Sequence, residues 1–425
     1  MIDLAAAHGY EFASVARVSR AAGVSTQTFY ELFADREACL LAAYRTVERR
    51  VRERARPPND PLPSDMRQWT QLLREALEGA LGALAVDPDG ARVLLLEALA
   101  AENAVAAQRM ATQQRFEQYA HELLASTPSD GPVLDLPGQA LVGALRGVAA
   151  RRLLEHREWE LTGLAGKLHT WVRCYTRADG VRFSTGQAAR LAPSTIASRR
   201  TAPDTPERLP KGPHGLSAAA VERNHRLRIV KATATVIERD GYGKTSVSGI
   251  VAEARISRSV FYAHFASKQQ AVLGAQELTQ RRLLGACERE FAAATPWSTR
   301  IWRVLHVLLD AAAADPPLAR LCVAGCYAAG PEATRHAEQM TRPYARLLDE
   351  GYGQRPAAAK LPALCSEAVT AAILAIIRSE LEAGGAAALP RRLPQLAHIA
   401  IAPFTGPVHA TKRIECLIDA EEPGV

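Results

Sequence analysis

Residues 23–38 read "GVSTQTFYELFADREA", and residues 255–270 read "RISRSVFYAHFASKQQ". Both stretches hold a serine, a Phe-Tyr pair and a second phenylalanine at the same spacing, while the polar residues between them differ. Read as a helix, the first begins at Ser25, whose hydroxyl is suited to accept from a backbone amide two or three residues on. With Phe29 set inward, the helical turn places Leu32 and Phe33 on the same side, points Gln27, Glu31 and Ala34 outward, and leaves Thr26, Thr28 and Tyr30 on the flanks. The stretch therefore buries an aromatic side and displays a short polar one.

Upstream, residues 14–21 make a second short helix, and "AAGVS" supplies a tight turn with Gly23 where the backbone needs positive φ. Two short helices joined by such a turn, the second capped and polar on its outer side, form a helix-turn-helix. The second copy repeats the arrangement with a helix over 246–253, the turn "EARIS" and a helix capped by Ser257. Its next helix opens Ser267-Lys268-Gln269-Gln270, an S-x-x-Q capping box. Arg255 stands where the first copy has Gly23, which implies strain or a different turn geometry there. Phe29, Phe33, Phe261 and Phe265 read as core.

The repetition extends beyond these motifs. Residues 9–44 align with 241–276 without a gap, with 12 of 36 positions identical. "DPDGARVLLLEA" from Asp87 matches "DPPLARLCVAGC" from Asp315, and "ALVGALRGVAARRL" from Ala140 matches "AVTAAILAIIRSEL" from Ala368. A whole two-part unit is duplicated, with a period far above the 20–50 residues of solenoid repeats.

Between the copies, Pro193, Pro203, Pro206, Pro210 and Pro213 interrupt a run rich in Ser, Thr, Gly and Arg, which reads as a tether. From Arg177 to Lys231 there are eleven Lys or Arg against four Asp or Glu, a local excess equal to the formal +7 of the whole chain. Such a segment suits a polyanion, or a solvated linker. The expected divisions are a first helix-turn-helix domain at 1–56, a helical regulatory domain at 66–175, a linker at 176–222, a second helix-turn-helix domain at 223–290, a second regulatory domain at 297–405 and a tail at 406–425.

At 425 residues the chain exceeds one ordinary domain. Abundant Ala, Leu and Arg with few β-branched or aromatic residues favour an all-α fold, and the helix breakers cut each half into about nine segments. The seven cysteines lack paired zinc-site spacing and read as reduced thiols of a cytoplasmic protein, Cys322 and Cys326 lying one helical turn apart as packed core or, less simply, a redox pair. The longest apolar runs, such as 368–377, fall well short of the ~20 residues of a membrane span. No nucleophile elbow, phosphate loop, paired-histidine zinc motif or dinucleotide fingerprint is present, so neither an enzyme nor a cofactor is expected.

"GYEFASVARVSRAAGVSTQTFYELFADREACLLAAY" and "GYGKTSVSGIVAEARISRSVFYAHFASKQQAVLGAQE" resemble the N-terminal DNA-binding region of TetR-type transcriptional regulators. The resemblance covers about 50 residues in each half. It implies two tandem all-helical units, each with a C-terminal core that binds an effector and dimerises, and a repressor relieved by an unidentified small molecule. It further implies that Thr26, Gln27 and Thr28, with Arg258, Ser259 and Val260, face base edges, and that Tyr30, Tyr262, Arg36 and Lys268 meet phosphates. Thr245, placed to cap and touch phosphate, and His264 complete the expected DNA-binding set. Elementary chemistry agrees, since a helix N-terminus attracts phosphate, arginine pairs with guanine and glutamine with adenine.

Three departures separate the copies. Only eight residues precede Gly9, whereas a fuller helix runs over about 226–239 ahead of the second copy. Ala13 replaces Thr245, and Glu31, an acid on the outer side, replaces Ala263. Stronger DNA binding is expected from the second copy. Because the polar faces differ, the halves are expected to pair within one chain and read unlike half-sites of an operator; about 45 flexible residues span roughly 35 to 40 Å, comparable to the ~34 Å between half-sites. The other arrangements are a homodimer of tandem chains, or an interaction scaffold whose first copy has lost DNA binding. Trp69, Phe116, Tyr119, Trp302, His306, Tyr327 and Tyr344 are candidates to line an effector pocket or to serve as core.

Overall fold

The computed structural model describes residues 1–55, 63, 65–101, 103–127, 133–177 and 217–421. Among them, nine α-helices lie before residue 178 and eleven after residue 216, and the two-residue strands Val133–Leu134 and Thr176–Arg177 form the sheet. The fold is all-α and tandem, as the repeated sequence implies.

The first head consists of α1 (Ile2–His8), α2 (Val15–Ala22) and α3 (Thr26–Leu32). From it α4 (Arg36–Ala55) runs into a body of α5 (Met66–Val86), α6 (Pro88–Leu95), α7 (Asn103–Ala125), α8 (Gly138–Leu154) and α9 (Leu164–Arg173). The second head holds α10 (Ala218–Asp240), α11 (Val247–Ala254) and α12 (Arg258–His264), and α13 (Lys268–Phe291) leads out of it. Its body comprises α14 (Trp297–Ala314), α15 (Pro316–Val323), α16 (Pro331–Gln339), α17 (Arg342–Leu347), α18 (Leu364–Glu382), α19 (Leu393–Thr405) and α20 (Pro407–Glu421).

The repeated Asp-Pro pairs are helix starts. Asp87 accepts from the Gly90 amide at 2.9 Å, and Asp315 from the Leu318 amide at 3.3 Å. In each case proline occupies the first helical position, where no amide donor is needed.

Three expected divisions change. Thr176 and Arg177, read as the start of the linker, pair with the strand at 133–134, and Arg177 is buried against Thr411. The second head begins at Ala218, because Ser217 caps a helix of 23 residues that starts ahead of the expected boundary. The stretch from 406 is no tail: α20 buries Ala410, Ile414 and Ile418 against the body. The rest of the linker, 178–216, lies outside the described residues.

The two bodies meet along α8 and α18. A Cβ added at Gly143 would sit 2.4 Å from the Ala375 Cβ, and one at Gly147 2.5 Å from the Ala371 Cβ, so the helices approach as closely as only small residues permit. Ion pairs flank the seam: Arg152 to Glu367 at 2.7 Å and Arg109 to Glu382 at 3.1 Å. The Tyr175 hydroxyl donates to the Ile399 carbonyl at 2.8 Å. One apolar core therefore runs through both halves, from Trp69 and Trp171 to Trp302 and Phe404. The first head also touches the second half, a Cβ at Gly9 falling 3.2 Å from Pro331.

Candidate nucleic-acid interface

In the first head, Ser25 accepts from the Thr28 amide at 3.0 Å and starts α3. Gly23 makes the turn at φ 69° and ψ 25°. Phe29 is buried with Val18, Ala13 and Cys39, and Phe33 packs against it at 5.5 Å between ring centroids. Thr26 and Gln27 are exposed, Thr28 is half-buried, and Tyr30 is 59% exposed. Leu32, expected on the inner side, is 70% exposed. The helix ends at Leu32 and Phe33 turns extended at φ −135°, so Phe33 rather than Leu32 closes the apolar side.

The second head repeats this geometry with other polar residues. Ser257 accepts from the Val260 amide at 3.2 Å, Phe261 is fully buried beneath α12, and Tyr262 is 56% exposed. Arg255 adopts the same left-handed turn as Gly23, at φ 51° and ψ 50°, and its carbonyl accepts from Arg228 at 2.9 Å. The turn is conserved in shape and strained in residue type. On the outer side, Arg258 donates to Ser248, Ser259 pairs with Ser257 at 2.7 Å, and Val260 is half-buried. His264 closes α12 with its ring 6.1 Å from that of His225. Burial, with the neighbouring His264 and Arg228, lowers the His225 pKa.

Thr245 is corrected by the structure. It is buried and its hydroxyl donates to the Gly241 carbonyl at 2.7 Å, so it caps inward instead of meeting a phosphate. Its counterpart Ala13 is equally buried, which makes this an interior position in both heads. Lys268 and Arg36 occupy equivalent places and do equivalent work. The Lys268 ammonium donates to the carbonyls of Tyr242 at 2.8 Å and Thr245 at 3.1 Å and lies 4.2 Å from the Tyr242 ring centre. Arg36 lies 4.2 Å from the Tyr10 ring centre and donates to the Glu11 carbonyl at 3.3 Å. Each cation ties the start of the helix that leaves the head to the loop before the helix-turn-helix. Burial pushes the Tyr242 hydroxyl up to about 12, and Glu11 of the first head adds to the shift. Sequence reasoning gave Tyr10 and Tyr242 no role; the repeated Gly-Tyr pair was the available signal.

Behind the heads lie two cavities of unequal size. One of about 130 Å³ in the first body is lined in part by Phe116 and Tyr119. One of about 560 Å³ in the second runs between α13, α14, α15 and α18 and is lined in part by Tyr327 and Tyr344. Trp69 and Trp302 are packed core, and His306 lies 3.7 Å from Asp310. Cys322 borders the larger cavity, where burial pushes its thiol up to about 12, and Cys326 donates to the Cys322 carbonyl at 3.2 Å. Both thiols stay protonated near neutrality, which suits packing. Among the described residues no group of three or more metal-ligating side chains gathers, and no helix is long and apolar enough to cross a membrane.

The family model described as "Bacterial regulatory proteins, tetR family" matches residues 2–43 and, again, residues 229–273. No curated protein matches the chain. Among solved structures, a fatty acid degradation regulator, FadR, from Bacillus halodurans aligns at 18% identity over 41% of this chain and 96% of its own, with a TM-score of 0.37. Two γ-butyrolactone receptors described as ArpA-like align at 19% and 22% identity over 46% and 48% of this chain and 99% and 97% of theirs, with TM-scores of 0.29 and 0.26.

Proposed function

We propose that this chain is a tandem regulator of the tetR type, a sequence-specific DNA-binding protein whose two unlike heads read two unlike half-sites of one operator. The observation that carries the reading is the pair of outward helix faces, with Thr26, Gln27, Arg258 and Ser259 exposed and Thr28 and Val260 half-buried, mounted on matching buried aromatic supports within one packed chain. Gln27 and Arg258 suit adenine and guanine edges in the major groove. Tyr30 and Tyr262 reach phosphates from the flank, Arg36 and Lys268 add positive charge near the backbone and hold each head in shape, and His264 at the end of α12 adds a polar contact. The halves, joined along α8 and α18, take the place of two identical chains, so the operator need not be a palindrome. The larger cavity is the effector site of a repressor that releases DNA when filled.

Glu31 favours a second reading for the first head. It is exposed on the outer side of α3 and accepts from Gln27 at 3.4 Å, so it both repels phosphate and occupies a base-reading side chain. In that reading the first head is a pairing module.

Selection of genomic DNA fragments with the purified chain tests both. Asymmetric paired half-sites about one helical turn apart are expected, with a steep salt dependence from counterion release. A perfect palindrome would overturn the intramolecular reading, a single half-site would favour the pairing module, and no enrichment at low salt would remove DNA binding altogether.

A further inference from the structure

The two cavities are not equivalent. Pockets that enclose drug-sized ligands run to about 300–1,000 Å³, and the second-half cavity of about 560 Å³ falls inside that range. The first-half cavity, about 130 Å³, is close to the size that holds a single benzene. In a symmetric pair of chains both sites would be the same; among the described residues, duplication and divergence have left a large site in the second half and a small one in the first.

Its lining is equally specific. Aliphatic side chains such as Leu278, Leu305 and Ile377 form most of the wall. The charged residues on it are Lys231, Arg281, Arg282, Arg289 and Arg378, against the single acid Asp315. Lys231 and Asp315 pair with each other at 3.1 Å, and Arg378 donates to the Val323 carbonyl at 2.7 Å and the Tyr327 hydroxyl at 3.0 Å. Arg282 and Arg289 lie seven residues apart, two turns along one side of α13 that also carries Leu278. Both arginines are exposed residues that border the cavity, and partial burial lowers the Arg282 pKa. Tyr344 borders the same space, and burial holds its hydroxyl protonated as a neutral donor.

We infer that the chain takes one amphipathic anion, an apolar body with a single acidic end group, in the second half only, with the acid at Arg282 and Arg289. This rests on the regulator reading for its consequence, though not for the binding itself. Two walls carry the signal. Ile373, Leu374 and Ile377 line the cavity from α18, whose Ala371 and Ala375 abut Gly147 and Gly143 of the first half. Lys231 and Asp315 pin α10 of the second head to the start of α15 at the cavity edge. A ligand that displaces α18 or loosens this pair shifts both heads, because packed interfaces change between discrete arrangements.

The test uses the full chain with three probes of equal length: dodecanoate, dodecanol and dodecyltrimethylammonium, titrated by calorimetry and native mass spectrometry below their aggregation thresholds. One equivalent of dodecanoate per chain is expected, with each of the other probes at least about tenfold weaker. The Arg282→Gln/Arg289→Gln variant should lose about tenfold for dodecanoate and little for dodecanol, and Leu305→Trp, which fills the cavity, should bind neither while keeping its helical circular dichroism. Two equivalents per chain, equal affinity for the cationic probe, or no binding of any probe would overturn the inference. Anisotropy with a selected DNA fragment runs in parallel: DNA binding without probe binding sinks the site and leaves the regulator, whereas probe binding without DNA binding leaves the site and sinks the regulator.

Discussion

Arg255 occupies a backbone conformation that Gly23 adopts without cost in the other head. A left-handed turn at a residue with a Cβ costs roughly 1–2 kcal/mol, offset in part by the greater freedom of glycine in the unfolded chain. Arg255→Gly should therefore stabilise the second head by up to about 1 kcal/mol, and Gly23→Arg should destabilise the first by a similar amount; denaturant midpoints check the pair. On the reading side, Arg258→Ala should cost about 1–3 kcal/mol at its preferred base pair and relax specificity there, while Tyr262→Ala should weaken binding to every sequence alike. Anisotropy titrations over a panel of single-base variants separate the two patterns. With Glu31 beside Tyr30, Tyr262→Ala should also cost more than Tyr30→Ala, and equal losses would count against unequal heads.

Helices α8 and α18 show how one seam joins two units. Gly143 and Gly147 allow the backbones to close on Ala375 and Ala371, and overfilling such a contact costs about 1–3 kcal/mol or more per site. Gly147→Leu should lower the thermal midpoint and, on the proposed function, abolish the advantage of a two-half-site fragment over a single half-site. Gel-shift titrations with both fragments measure that ratio directly. A variant that unfolds outright would show it in its circular dichroism, and the milder Gly147→Ala then supplies the same comparison.

For the molecule as a whole, an internal pair predicts a solution mass near the 45.9 kDa of one chain, measurable by light scattering at micromolar concentration; a stable doubled mass would favour the homodimer of tandem chains. A second prediction concerns pH at the junction of the halves. His398, buried in α19, faces Asp135 at 3.7 Å and lies near Arg177, both from the first half. Burial pulls its pKa down to about 4, opposed by Asp135 and reinforced by Arg177. The unfolded chain then binds the proton more readily, so this contribution is complete above about pH 6.5 and is lost as pH falls from 6.5 toward 4, by at most about 3 kcal/mol. His398→Gln should flatten the slope of stability over that window, and an unchanged slope would remove His398 as its source.

The helical class, the duplication and the two serine-capped, aromatic-backed helices were legible in the sequence because they rest on local rules. A serine start, aromatic spacing and a glycine turn act within one or two turns of helix, and they recur in register in both copies. Leu32 escaped that logic because the helix stops at it and the chain bends away, and Thr245 because a hydroxyl suited to a phosphate is as well suited to its own Gly241 carbonyl. The interior placement of Lys268, the closure of α8 on α18, the helix at 407–421 and the disparity of the two cavities were decided only by tertiary packing. Each depends on which surfaces from distant segments come together, and pairwise spacing along a chain does not encode that.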